Sequence, residues 1–131
     1  MRSRVWLWAN FSAVPGAIGG INALRAQGHY VSCVTSKPDW AEHNVWKWLG
    51  RWRPAFQQVT IVDIDHPKHT VSDADILVDD KPSNIIDWVE SDDDRLGIIF
   101  DQPWNRAVYG ERIVRAGSWH GVIETVELLE K

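Results

Sequence analysis

The chain reads as a three-layer α/β domain with a mostly parallel sheet, on three observations. Short apolar and β-branched runs recur along it, at residues 30–34, 59–62, 76–78 and 98–100. Helical patterns lie between them, and strands alternating with helices require the crossover connections that build parallel sheets. Each run is followed by a polar cluster: Thr35-Ser36, Lys68-His69, Asp79-Asp80 and residues 101–106. In a doubly wound sheet the carboxyl ends of the strands share one edge, and ligands bind there.

The elements follow in order. Residues 4–11 (RVWLWANF) are a short apolar segment, a strand or a helix end; periodicity does not separate the two. Pro15-Gly16 opens a helix, with Pro15 near its first turn. Ile18, Ile21 and Leu24 form its buried face, and Gly28 closes it as a C′ residue. Residues 29–34 (HYVSCV) form a strand that ends in Thr35 and Ser36, with a turn at Lys37-Pro38. Asp39 caps the next helix. There Ala41, Val45, Trp48, Leu49 and Trp52 share one face, and Pro54 stops it.

Residues 59–64 (VTIVDI) are the next strand, and 66–69 (HPKH) a polar, basic loop. The strand over 74–78 comes next. A short helix over 84–90 turns Ile85, Ile86 and Val89 inward. Residues 91–95 are a charged, solvated loop. Residues 97–100 (GIIF) are the last clear strand, and a final helix covers 120–129.

Bulk properties narrow the function. At 131 residues the chain is a single domain, residues 1–131, long enough for a real core. A net charge of −4 leaves no basic footprint for nucleic acid. No apolar run is long enough to span a membrane, and no signal peptide is present. The single cysteine, Cys33, excludes an internal disulfide and a cysteine-cluster metal site. A cytoplasmic location follows. The five histidines have no HxxxH or HxH spacing, which argues against a transition-metal site. Core and helix packing accounts for most of the nine tryptophans. Trp46, Trp104 and His43 invite a base-stacking role, but packing under a neighbouring loop explains them as well.

The organising stretch is ADILVDDKPSNI, residues 74–85. Ile76, Leu77 and Val78 are the signature of a strand buried on both faces. Asp79 and Asp80 follow at its carboxyl end. One reading makes them ligands for a hard cation such as Mg²⁺. The other makes them caps for the next helix and acceptors for turn amides. The convergence of polar clusters at one edge favours the first.

The order of these motifs resembles the haloacid dehalogenase superfamily. A hydroxyl after a strand (VTS), a loop lysine (HPKHT) and a strand ending in two aspartates (ILVDDKP) look like its motifs II, III and IV. The nearer resemblance is to the 5′(3′)-deoxyribonucleotidases, the cytosolic-type 5′-nucleotidases. They share a helix start like VPGAIGG, a CTSP-like turn, a DILIDDKP-like strand and an FDQPYN-like loop. The resemblance covers residues 15–106 and implies a HAD-like Rossmannoid fold.

It also implies roles. Thr35 resembles the hydroxyl that hydrogen-bonds the phosphate, with Ser36 assisting. Lys68 resembles the lysine that offsets charge on nucleophile and phosphoryl oxygens, and His69 is a rival for that place. Asp79 and Asp80 resemble the pair that holds Mg²⁺. The implied substrate is a nucleoside monophosphate and the reaction its hydrolysis.

One departure is large. The family's first strand ends in a DxD motif whose first aspartate is the nucleophile. No Asp or Glu precedes Asp39 here, and the helical cap that follows that motif is missing. Two alignments compete. In one, residues 6–17 match the segment leaving the cap. The chain is then a truncated enzyme, served by a separate amino-terminal fragment or by a second copy of itself. In the other, residues 5–10 are a degenerate first strand, with Trp8 and Asn10 in place of the aspartates. That is a capless pseudo-phosphatase. The first alignment needs no gaps and is the preferred one; fold stability argues for the second, because an empty central position would leave two strands with unpaired backbone groups.

Overall fold

The structure is a computed structural model that describes residues 4–8, 17–36, 58–62 and 74–129. The described residues form six strands and three helices. They are β1 (Arg4–Trp8), α1 (Ala17–Ala26), β2 (Tyr30–Ser36), β3 (Gln58–Val62), β4 (Ile76–Asp79), α2 (Pro82–Ser91), β5 (Leu96–Phe100), β6 (Ile113–Ala116) and α3 (Trp119–Leu129). A 3-10 turn, Pro103–Asn105, interrupts the β5–β6 connection. The helix expected over residues 41–52 lies outside the described residues. So does the loop that carries Lys68 and His69.

All six strands form one parallel sheet in the order β3-β2-β1-β4-β5-β6. The order reverses between β1 and β4, the switch point of a doubly wound sheet. The protein is therefore the three-layer, Rossmann-like α/β fold that the pattern of runs predicts. Within the expected segment 4–11, residues 4–8 contribute the central strand. Val5 pairs with Val31 on one side and with Ile76 on the other. The position between β2 and β4 is thus filled from within this chain, as the degenerate-strand alignment requires.

Both faces of the sheet carry a core. On one, Ile21 and Leu24 of α1 and Trp119, Val122 and Val126 of α3 pack on Val31, Ile76, Val78 and Ile98. On the other, Ile85, Trp88 and Val89 of α2 cover Leu77 and Ile99. Because strand residues alternate in direction, Ile76 and Val78 serve one core and Leu77 the other. All of β4 is buried, which explains its unbroken apolar run.

Close approach of the layers depends on two glycines. A Cβ on Gly20 would lie 2.7 Å from Cε3 of Trp119, so α1 and α3 touch there only because Gly20 has no side chain. A Cβ on Gly97 of β5 would meet Ile85 Cγ2 at 3.0 Å. Gly28 ends α1 as predicted, with φ 92°. Its N–H donates to Arg25 O at 3.0 Å and that of His29 to Leu24 O at 3.1 Å, the paired bonds of a Schellman cap.

Three sequence expectations change. The helix expected over 84–90 is longer, Pro82–Ser91, and its inward face is Ile85, Trp88 and Val89. Ile86 points outward, 40% exposed. Trp88 takes the buried place at i+3 from Ile85, and its Nε1–H donates to Leu96 O at 3.1 Å. Arg95 then covers the indole, 4.1 Å from its centroid. The strand over 97–100 is not the last, since β6 pairs with it from Gly97–Ile113 to Phe100–Ala116. β6 is a four-residue strand containing an arginine, too short and mixed to register as an apolar run.

Candidate functional site

The carboxyl edge of the sheet gathers the ends of β2, β1, β4 and β5. β2 runs through Thr35 and Ser36, which pair with Ile61 and Val62. They are thus the last strand residues rather than the start of a turn. Trp8 ends β1 and pairs with Val34. Leu7 pairs with Val78, so Asp79 ends β4 one residue further toward the same edge. Thr35-Ser36 and Asp79-Asp80 therefore lie along one edge, on either side of β1. Lys68 and His69 lie outside the described residues.

Asp79 is 2% exposed and ties its strand to the next helix. Its Oδ1 accepts the Lys81 backbone N–H at 2.9 Å, and its Oδ2 accepts Asn84 Nδ2–H at 3.0 Å. α2 begins with Pro82 in its first turn and has no side-chain cap from Lys81. The Asp79 carboxylate instead accepts the turn amide just before the helix and the Asn84 side chain, and its negative charge sits favourably at a helix amino terminus. Of the two structural roles weighed from sequence, acceptance of a turn amide is the one that Asp79 shows.

Asp80 is half-buried and is anchored through its backbone. Its carbonyl accepts Asn105 Nδ2–H at 2.8 Å and Trp104 Nε1–H at 3.2 Å. Asn105 is fully buried. Its Nδ2 also donates to Phe100 O at 2.8 Å, and its Oδ1 accepts the Gln102 N–H at 3.1 Å and Arg115 at 2.9 Å. Arg115, from β6, further donates to Asp101 Oδ1 at 2.8 Å, Asn105 O at 3.0 Å and Val108 O at 2.7 Å. The β5–β6 loop is thereby fastened to the residue that follows β4.

Asn105 and Arg115 were not singled out from sequence as organisers of this edge. Asn105 had a signal, since it closes the FDQPYN-like loop. Arg115 had one only as the charged residue in a short β-branched run. Asp101 carries a charge at the same edge but is committed to Arg115, with Arg106 Nε 3.8 Å from the same oxygen.

Mg²⁺ prefers oxygen donors and is commonly held by one or two carboxylates with water and phosphate oxygens. The Asp79-Asp80 pair matches that donor chemistry. Among the described residues no cluster of three or more His, Cys, Asp or Glu side chains is placed to hold a metal. The pair is a candidate for holding a hydrated hard cation.

A doubly wound parallel sheet, with an acidic pair closing the strand beside the central one, defines a Rossmann-like α/β domain with a ligand edge at its switch point. The chain matches the family model of the 5′ nucleotidase, deoxy (pyrimidine), cytosolic type C protein over residues 3–131, and it belongs to that haloacid dehalogenase-like family. No curated protein matches the chain. The family implies 5′-nucleotidase activity, nucleotide metabolism and a nucleoside monophosphate substrate. No helix among the described residues is long and apolar enough to cross a membrane.

Proposed function

We propose that this chain binds a nucleoside monophosphate, with Mg²⁺, at the carboxyl edge of its sheet and hydrolyses it weakly or not at all by itself. One observation carries the reading. β1 occupies the central position between β2 and β4. The residues around its end read Trp8-Ala9-Asn10, where the resemblance calls for two aspartates. Neither an indole nor a carboxamide can attack phosphorus to form an aspartyl-phosphate, the covalent step on which such hydrolysis depends.

The remaining parts of a phosphate site stand in the order the family suggests. Thr35 and Ser36 donate hydrogen bonds to phosphoryl oxygens. Lys68 supplies positive charge, with His69 as the neighbouring alternative. Asp79 and Asp80 hold the metal. When bound, Mg²⁺ neutralises charge on the phosphate. Asp79 also holds the turn through Lys81 and Asn84, so that Asp80 is presented from a fixed backbone. The cytosolic type of the matched family supports a cytosolic setting. Asp101, held by Arg115, is engaged as an ion-pair partner and is not a substitute nucleophile.

The test is an assay of purified protein against deoxynucleoside monophosphates with Mg²⁺, paired with calorimetric binding. Binding with little turnover is expected, since positioning and electrostatics alone leave weak catalysis in enzymes stripped of a nucleophile. Robust turnover that depends on Asp79 and Asp80 would reveal an overlooked nucleophile. Robust turnover that survives Asp79→Ala and Asp80→Ala together would remove the site assignment.

A further inference from the structure

Trp104 is an exposed aromatic that is nevertheless fixed in place. It is 63% exposed, whereas the buried tryptophans Trp88 and Trp119 are 0% and 3%. Its one polar atom points into the protein, where Nε1–H donates to Asp80 O at 3.2 Å. An ordinary surface tryptophan gives its N–H to water. Here the polar edge is consumed internally and the remaining ring surface meets solvent.

The backbone beneath Trp104 is equally constrained. Pro103 starts the 3-10 turn, and the neighbouring Asn105 is fully buried. Asn105 holds the turn to Asp80 and Phe100 and is itself held by Arg115. A ring ordered before any ligand arrives loses little conformational freedom on binding.

From these contacts we infer that Trp104 is a stacking platform for the base of a nucleotide whose phosphate sits beside Asp80. This rests on the nucleotide-binding reading above and adds to it the residue that would sense the base. The ring is tethered to the backbone of the proposed metal-binding residue, so base and phosphate subsites share one anchor. An indole face stacks on any base, whatever its hydrogen-bonding edge, so the platform supplies affinity more than discrimination among bases.

Calorimetric titration of the full chain with three probes, each with Mg²⁺, tests this. The probes are deoxyuridine 5′-monophosphate, deoxyribose 5-phosphate and inorganic phosphate. In the unaltered protein the nucleotide binds about tenfold more tightly than the base-free sugar phosphate, in line with the stacking of one base. Trp104→Ala removes that advantage and leaves the sugar phosphate unaffected. Trp104→Phe keeps a ring without the N–H and retains more of the advantage than the alanine variant, which separates stacking from the tether to Asp80.

An NMR readout does not depend on the variants keeping their stability. The Trp104 indole N–H resonance shifts with the nucleotide and stays put with inorganic phosphate. Equal affinity for nucleotide and sugar phosphate in the unaltered protein overturns this inference and leaves the phosphate site standing. Absence of binding by all three probes overturns both.

Discussion

Asn105 donates from one amide nitrogen to two carbonyls on neighbouring strands' ends, Asp80 O and Phe100 O, each at 2.8 Å. A single buried side chain thus sets how far apart the exits of β4 and β5 stand. Replacing it with alanine would remove the side-chain donor to Phe100 O, leave Asp80 O with Trp104 Nε1–H alone and leave Arg115 short of an acceptor. Unmade buried hydrogen bonds of this sort cost about 1–3 kcal/mol each, so Asn105→Ala should lower stability by roughly 2–4 kcal/mol. Urea unfolding followed by circular dichroism measures it. A loss below about 0.5 kcal/mol, the scale of ordinary surface changes, would contradict this account of the hub.

Asp79 and Asp80 should separate by readout. Asp79→Ala removes the acceptors for the Lys81 N–H and Asn84 Nδ2–H. The loss leaves a turn amide and a side-chain amide without their acceptor, about 1–3 kcal/mol. Asp79→Asn keeps one acceptor oxygen and should recover part of it. For Asp80 the expected signature is in the metal response. Mg²⁺ raises the thermal midpoint of the unaltered protein and leaves that of Asp80→Ala where it was. An unchanged Mg²⁺ response in Asp80→Ala would remove Asp80 from the metal site.

Two adjacent glycines in α1 should respond with opposite sign. A Cβ on Gly20 collides with the Trp119 indole at 2.7 Å, whereas one on Gly19 meets nothing within 4 Å. Gly20→Ala should destabilise by about 1–3 kcal/mol, as overpacking does. Gly19→Ala should stabilise by about 0.5–1 kcal/mol through helix propensity. Thermal unfolding of the pair checks both. The same sign for both would mean that α1 and α3 do not meet at Gly20.

Trp88 is the largest fully buried side chain of the α2 core. Trp88→Ala should cost about 3–5 kcal/mol, the range for emptying an aromatic site. Trp88→Phe should cost less, because the ring is kept and only the bond to Leu96 O is lost. Denaturant midpoints of the two variants rank them; equal losses would mean that ring packing is not what Trp88 contributes.

Much of the architecture was legible because burial on two faces leaves an unmistakable run of apolar residues. Ile76–Asp79 and Leu96–Phe100 are such strands. β6 escaped notice because it is a four-residue edge strand interrupted by the exposed Arg115. The inward placing of Ile86 failed for a related reason. Helical spacing admits Ile85-Ile86-Val89 or Ile85-Trp88-Val89, and only the carbonyl waiting at Leu96 shows why the tryptophan goes in. At the ligand edge, the two aspartates could be found from their place after a buried strand. Their division of labour could not, because the Asp79 hydrogen bonds and the Asp80 tether depend on where Asn84, Trp104 and Asn105 arrive in space.

The central position of β1 has a kinetic consequence. It is the earliest of the six strands in the chain, yet its two partners become available at very different times. β2 can join one side soon after it forms, while the other side must wait for residues as distant as Ile76, Leu77 and Val78. Until then a row of unpaired backbone groups stays open in the middle of the future sheet, a template for any stray strand. Pairings between distant segments also slow folding and lengthen that exposure. Recovery of folded protein should therefore be governed by how promptly β4 closes on β1, and shielding of the nascent chain by a chaperone should matter most before β4 has left the ribosome.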